Sequence, residues 1–221
     1  NVEGFRCLVA TCRARGVSRL VWASSTTVLG QQADHAAGLV DETASRFPAG
    51  IYGLTKSLAE EIGTFAHRHW GLEVVAVRPT LVLGPGHPYG GLLDPLKALF
   101  EACHPVAPLT LEIGWGRHLF DIVHVDDVAA AFVALAAAPP GLRPLYNVNG
   151  GTTDIDAIAA LARAARPELD LTVRDEAPPV VVPRVAAERI AADIGFRARY
   201  GADETIRRCI EHARNREECY V

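Results

Sequence analysis

The alternation of helix patterns with buried-strand patterns constrains this chain more than any other feature. Val2 to Arg15 carries apolar Phe5, Leu8, Val9 and Cys12 along one side and stops at Gly16, as an amphipathic helix does. Arg19 to Ser24 reads RLVWAS, a short, nearly continuous run suited to a parallel strand covered on both faces. A long polar stretch, Thr26 to Gly50, comes next, and loops of that length tend to carry function. A second helix pattern runs from Tyr52 to Trp70 and ends at Gly71. A second buried run, Leu72 to Arg78, is cut by Pro79. Helix, strand, helix, strand predicts an α/β fold with a doubly wound parallel sheet.

The second half reads as shorter, mixed elements. Helices are expected over 96–104, from Asp126 or Asp127 to about Ala138, and over 154–165, 185–194 and 203–217. Strands are expected over 109–113, 120–125, 145–148 and 171–174. One of the two aspartates is expected to cap its helix. The Gly/Pro-rich connection from Gly84 to Pro95 places a soft boundary near Gly84. It separates residues 1–84 from a mixed α/β domain, 85–221, some of whose segments return to the first sheet.

Composition narrows the function classes. The 221 residues are 49% hydrophobic and 22% charged with a formal net charge of −4, which is ordinary globular chemistry and gives nucleic acid no basic face to bind. The longest near-apolar run, Val128 to Pro140, is too short to span a bilayer and ends in Pro-Pro, so no membrane partner is expected. Cys7, Cys12, Cys103, Cys209 and Cys219 are odd in number and contain no CxxC, which points to reduced thiols, a cytoplasmic location and no zinc site. His124 has no second ligand at a supporting spacing, so it reads as a packed strand residue and no metal is expected.

The most informative motif is Tyr52-Gly-Leu-Thr-Lys56. Residues four apart on a helix stand about 40° apart, one turn above the other. Leu54, Leu58, Ile62 and Phe65 fall on a separate apolar stripe, while Ala59 and Gly63 share the Tyr-Lys face and leave room beside the pair. A free tyrosine titrates near ~10, too high for a base at neutral pH, and a neighbouring ammonium favours the phenolate. A tyrosine so tuned can exchange a proton with an alcohol or ketone while a nicotinamide exchanges the hydride. Upstream, Val21-Trp-Ala-Ser-Ser25-Thr-Thr-Val-Leu-Gly30 is a strand that ends in hydroxyls, and ligands of parallel α/β sheets gather at strand carboxyl ends. Ser25 there is placed to hydrogen-bond a substrate oxygen.

Taken together, Asn1-Val-Glu-Gly, Ala23-Ser-Ser-Thr-Thr-Val-Leu-Gly30, Asp41-Glu42, Tyr52-Gly-Leu-Thr-Lys56, Arg78-Pro-Thr-Leu-Val-Leu-Gly-Pro-Gly86, Asp121-Ile-Val-His-Val-Asp-Asp127 and Tyr146-Asn-Val resemble, in order, the landmarks of the extended short-chain dehydrogenase/reductase family, the NAD-dependent epimerase/dehydratase group. The resemblance covers nearly the whole chain. It implies a Rossmann-like NAD(P)-binding domain followed by a substrate domain. It implies Tyr52 as catalytic acid/base, Lys56 on the nicotinamide ribose and lowering the Tyr52 pKa, and Ser25 orienting the substrate oxygen with Thr26 beside it. Pro79 and Thr80 correspond to the backbone that meets the nicotinamide carboxamide. A homodimer through the helices Val2–Arg15 and Tyr52–Trp70 is a further implication, with the stripe Leu54, Leu58, Ile62, Phe65 suited either to that contact or to packing on its own sheet.

Three departures bear on substrate and cofactor. Sugar-nucleotide members of the group usually carry Asn where this chain has Leu81 and Arg where it has Phe120. Apolar side chains there remove hydrogen bonds a diphosphate would need, so these two pocket positions favour a smaller or less charged alcohol or carbonyl over a sugar nucleotide. The Gly-rich turn that meets a pyrophosphate is absent. Gly84-Pro-Gly86 with Gly90-Gly91 is no substitute, because Pro85 and Pro88 break the helix that would have to start there. The expectation is therefore that a nucleotide-binding segment precedes Asn1, and NAD and NADP are not distinguished. A nucleotide-sugar epimerase or dehydratase is the alternative within the family. A non-catalytic binding module is the alternative outside it.

Overall fold

The computed structural model describes residues 2–85 and 94–215. Asn1, Gly86, Gly90, Gly91, Cys219 and the last residues of the expected terminal helix lie outside them. In chain order the elements are α1 (Val2–Ala14), β1 (Arg19–Ala23), α2 (Ile51–His69), β2 (Glu73–Pro79), β3 (Leu81–Leu83), α3 (Asp94–Ala102), β4 (Thr110–Ile113), β5 (Phe120–His124), α4 (Val125–Ala137), β6 (Leu145–Val148), β7 (Gly151–Thr153), α5 (Ile155–Ala165), β8 (Asp170–Val173), α6 (Glu188–Ile194) and α7 (Ala202–Asn215). The long polar stretch after β1 holds two short 3₁₀ turns, Thr26–Leu29 and Gln32–Asp34.

The chain forms two units. The first comprises Asn1–Thr80, Asp126–Asn149 and Val182–Arg199. Its sheet has the order β1-β2-β6 with all strands parallel, as the α/β pattern requires. One face packs Leu20, Trp22 and Val74 against Phe5 and Val9 of α1 and Ala66 of α2. On the other face Val21 shares a surface with Phe132 and Ala136 of α4. Both faces covered is the reason Val74 to Val77 read as an unbroken apolar run. Arg19 joins the layers: its guanidinium pairs with Glu73 at 2.5 Å and donates to the carbonyls of Leu135, Ala138 and Pro139, which closes the C-terminal end of α4.

The second unit comprises Leu81–Val125, Gly150–Val181 and Tyr200–Val221. It contains the sheet β3-β5-β7, in which β7 runs antiparallel, and the parallel pair β4-β8. Its core gathers Leu96 and Leu99 of α3, Ile155 and Ile158 of α5, and Ile206 and Ile210 of α7. Asp154 caps α5 by accepting from the Ala157 amide at 2.8 Å. Trp115 has a φ of 76°, and its ring is held edge-on against Phe120 at 6.2 Å.

Two local readings of the sequence change in the structure. The helix after β5 begins at Val125, so Asp126 and Asp127 lie inside its first turn, where the helix dipole favours them, instead of before it. Asp127 accepts from the Arg199 amide at 2.9 Å, a partner far along the chain. The face of α2 that is buried is not the large apolar stripe. Gly53, Ala59, Glu60, Gly63 and Ala66 are buried, while Leu54, Leu58 and Phe65 are 43%, 45% and 52% exposed. Small residues let the helix axis approach the sheet: a Cβ on Gly63 would stand 3.0 Å from Val74 Cγ1.

Candidate active site

The site residues expected in the first unit collect at the carboxyl ends of β1 and β2. Beyond Ala23 the Ser24 amide still pairs with the Val77 carbonyl at 2.8 Å. The chain then turns into the 3₁₀ segment Thr26–Leu29, capped by Ser25, whose Oγ accepts from the Thr27 amide at 3.2 Å and the Thr27 hydroxyl at 2.9 Å. With two donors already on that oxygen, the hydroxyl proton of Ser25 is left to point elsewhere. Thr26 is buried and donates to the Pro79 carbonyl at 3.3 Å, which ties the serine turn to the end of β2.

Helix α2 abuts this turn. A Cβ on Gly53 would lie 2.6 Å from the Thr27 carbonyl oxygen, so only glycine allows the approach. That contact sets Tyr52 and Lys56 beside the serine turn. Tyr52 is 53% exposed, open to a reactant. Lys56 Nζ donates to the Ala23 carbonyl at 2.7 Å and stands 5.6 Å from the Trp22 ring centroid and 5.7 Å from that of Tyr52. Partial burial pushes the Lys56 ammonium below its ordinary value. Lys56, Thr55, Ala59 and Trp22 also line a groove of about 390 Å³ with Gly4, Phe5 and Leu8 of α1.

Ser25, Thr26, Tyr52, Lys56, Pro79 and Thr80 therefore share one neighbourhood of the first unit. Leu81 and Phe120 belong to the second unit. Leu81 pairs with Ile122 and packs on the apolar core, and Phe120 is 6% exposed against Trp115. His124 is buried on β5 with its ring 4.7 Å from that of Tyr200, and among the described residues no group of His, Cys, Asp or Glu is arranged to hold a metal.

Sequence reading missed a buried polar cluster behind the site. Glu60, one turn beyond Lys56, is 2% exposed and binds Arg78 through both oxygens, at 2.8 Å to Nε and 2.6 Å to Nη2. It also accepts from Ser24 Oγ at 2.5 Å and Arg46 Nη1 at 2.9 Å. Burial pushes the Glu60 carboxyl up, but the hydrogen bonds and charge of Arg78, with Ser24 and Arg46, outweigh it and hold the group below the ordinary carboxylate range. The signals were a carboxylate at the border of the Tyr-Lys face and an arginine ending an apolar strand.

The residues fit a nicotinamide cofactor. Lys56 keeps two ammonium protons beyond its bond to Ala23, and Thr80 Oγ1, buried at the end of β2, has no hydrogen-bond partner among the described residues.

Comparison with known proteins agrees with this architecture. The chain is 34% identical over 147 residues to 2-alkyl-3-oxoalkanoate reductase of Stenotrophomonas maltophilia, covering 64% of this chain and 41% of that protein. It is 25% identical over 239 residues to dihydroflavonol 4-reductase of Zea mays, covering 96% of this chain and 62% of that protein. The chain thus spans less than two thirds of the length of these relatives. Among solved structures, MoeE5 in complex with UDP-glucuronic acid and NAD superposes with a TM-score of 0.79 at 27% identity, over 96% of this chain and 70% of that one. No helix among the described residues is long and apolar enough to cross a membrane. Residues 1–149 of the 221 match the NAD dependent epimerase/dehydratase family, and the chain belongs to that family.

Proposed function

We propose that the protein transfers a hydride between a nicotinamide cofactor, NAD or NADP, and an alcohol or ketone carbon of a small molecule, with Tyr52 as acid/base. The observation that carries the reading is the Lys56 ammonium fixed 2.7 Å from the Ala23 carbonyl and 5.7 Å from the Tyr52 ring, beside the serine turn at the end of β1.

A bound nicotinamide supplies or accepts the hydride. The chain's own residues do the rest. The Ser25 hydroxyl donates to the substrate oxygen and aims it at Tyr52. Tyr52 gives that oxygen its proton as the carbonyl is reduced, or takes it as the alcohol is oxidised. Lys56 offers its remaining protons to the cofactor ribose and a positive charge to the phenolate. Thr80 Oγ1 and the Pro79 backbone receive the carboxamide end. Tyr52→Phe is expected to lower kcat by at least about 10²-fold, the scale of one acid/base group. Stopped-flow or steady-state nicotinamide absorbance, with NADH and NADPH and with small ketones and alcohols, checks it. Undiminished turnover by Tyr52→Phe refutes it.

Leu81 and Phe120, where sugar-nucleotide members usually carry Asn and Arg, motivate a substrate less charged than a sugar nucleotide, although both side chains pack into the apolar core of the second unit. Likeness to MoeE5, solved with UDP-glucuronic acid, favours the second reading, a nucleotide-sugar epimerase or dehydratase. Turnover of UDP-sugars with none of simple carbonyls would reverse the order. Exposed Leu8 on α1 and Leu54, Leu58 and Phe65 on α2 support a homodimer, which sedimentation tests. Cys7, Cys12, Cys103 and Cys209 are free thiols, which suits a reducing cytoplasmic location.

A further inference from the structure

We propose that Glu60 is a positioning residue that holds the three site-bearing segments in register, an inference that rests on the hydride-transfer reading above. It lies on one of these segments, its carboxylate meets one group from each of the other two, and each of those groups adjoins a site residue. On α2, Glu60 itself lies four residues after Lys56 and eight after Tyr52, on a rigid helix. On the serine strand its partner is Ser24, at 2.5 Å, whose chain neighbour is Ser25. On β2 its partner is Arg78, at 2.6 and 2.8 Å, whose chain neighbours are Pro79 and then Thr80. Arg46 draws in the long loop as well, at 2.9 Å to Glu60 and through an ion pair with Glu61.

Stability alone does not require this arrangement. A buried ion pair is often no more stabilising than apolar side chains of the same volume, because both charges lose their water. Its better-attested use is to specify one geometry, since each partner must present a particular atom at a particular place. Here the atoms presented lie on the three segments that carry the acid/base, the substrate hydroxyl and the cofactor backbone. The Ser24 bond is the informative one. It fixes the strand end on the helix and leaves the Glu60–Arg78 pair complete when it is cut.

The experiment compares the full protein with Ser24→Ala, Glu60→Gln and Tyr52→Phe in three measurements: thermal melting, nicotinamide fluorescence titration with NADH and NADPH, and steady-state kinetics. If Glu60 positions the site, Ser24→Ala melts several degrees below wild type, as loss of one buried hydrogen bond to a charge dictates, but is fully folded at assay temperature. It nevertheless loses about 3–10-fold in kcat and in cofactor affinity, because displacements well under 1 Å carry such factors. Glu60→Gln loses more of both at temperatures where it is fully folded. Wild-type kcat and wild-type cofactor affinity in Ser24→Ala overturn the proposal, even if Glu60→Gln fails to fold, because a stabilising role alone leaves both parameters unmoved. Tyr52→Phe separates this inference from the reading beneath it. Full turnover in that variant refutes the acid/base assignment, while the cofactor titrations of the other two still decide the role of Glu60.

Discussion

Replacing Gly53 by alanine opposes two terms of known size. Glycine costs a helix interior about 0.8–1.0 kcal/mol relative to alanine, so on propensity alone the change stabilises α2. The new Cβ, however, would stand 2.6 Å from the Thr27 carbonyl oxygen and 3.2 Å from Pro48 Cβ. The first is a backbone atom of the turn that Ser25 caps, so it cannot swing aside as a side chain would. Overpacking of this kind costs about 1–3 kcal/mol. The balance is a loss of up to about 2 kcal/mol, or up to roughly 8 °C in Tm for a chain of this size. Gly4 provides the control: it holds the same third position in α1, and a Cβ there meets nothing within 4 Å. Gly4→Ala is therefore expected to raise stability by up to about 1 kcal/mol. Calorimetry of both variants under one condition gives the comparison. If Gly53→Ala is stabilised as much as Gly4→Ala, then α2 does not rest on the serine turn in the way described, and the placement of Tyr52 argued from that contact falls with it.

Arg78→Met keeps the aliphatic stem but leaves the Glu60 carboxylate buried with only Ser24 and Arg46, and should cost about 3–5 kcal/mol in urea unfolding; adding Glu60→Gln should restore part of that, since the uncompensated charge is removed, and a single-variant cost below about 1 kcal/mol would refute the account. Acid should act on this cluster and on the Glu73–Arg19 ion pair. Glu60 and Glu73 both titrate below their ordinary 4.5 in the folded protein, so their contribution is complete above that pH and is lost as pH falls through the folded values. Stability measured against pH should hold level down to about 5 and then fall, and the fall should be shallower in Glu60→Gln.

Much of the candidate site was legible because its signals are local. Tyr52 and Lys56 are one helical turn apart, and the Ser25 turn follows its strand directly. What was not legible depends on partners distant in sequence. Glu60 and Arg78 are 18 residues apart and meet only because α2 lies across β2. Asp127 finds Arg199 72 residues away. The three-residue strands β3 and β7 carry too little pattern to be read alone; each exists because β5 lies beside it.

The amphipathic period of α2 left its packing face open, and the structure decides it for a physical reason. Hydrophobicity marks a face that avoids water, but close approach to a sheet rewards small side chains. The tightly packed face is accordingly Gly53, Ala59, Gly63 and Ala66, with the leucines left outward. The sequence by itself determined the order of elements, the parallel α/β class and the chemical identity of the candidate site groups, because period, propensity and residue type act over a few neighbours. Tertiary structure alone decided which helix face is buried, which carboxylate stands behind the site and how three segments meet on it, because those outcomes depend on distances between atoms the chain does not join.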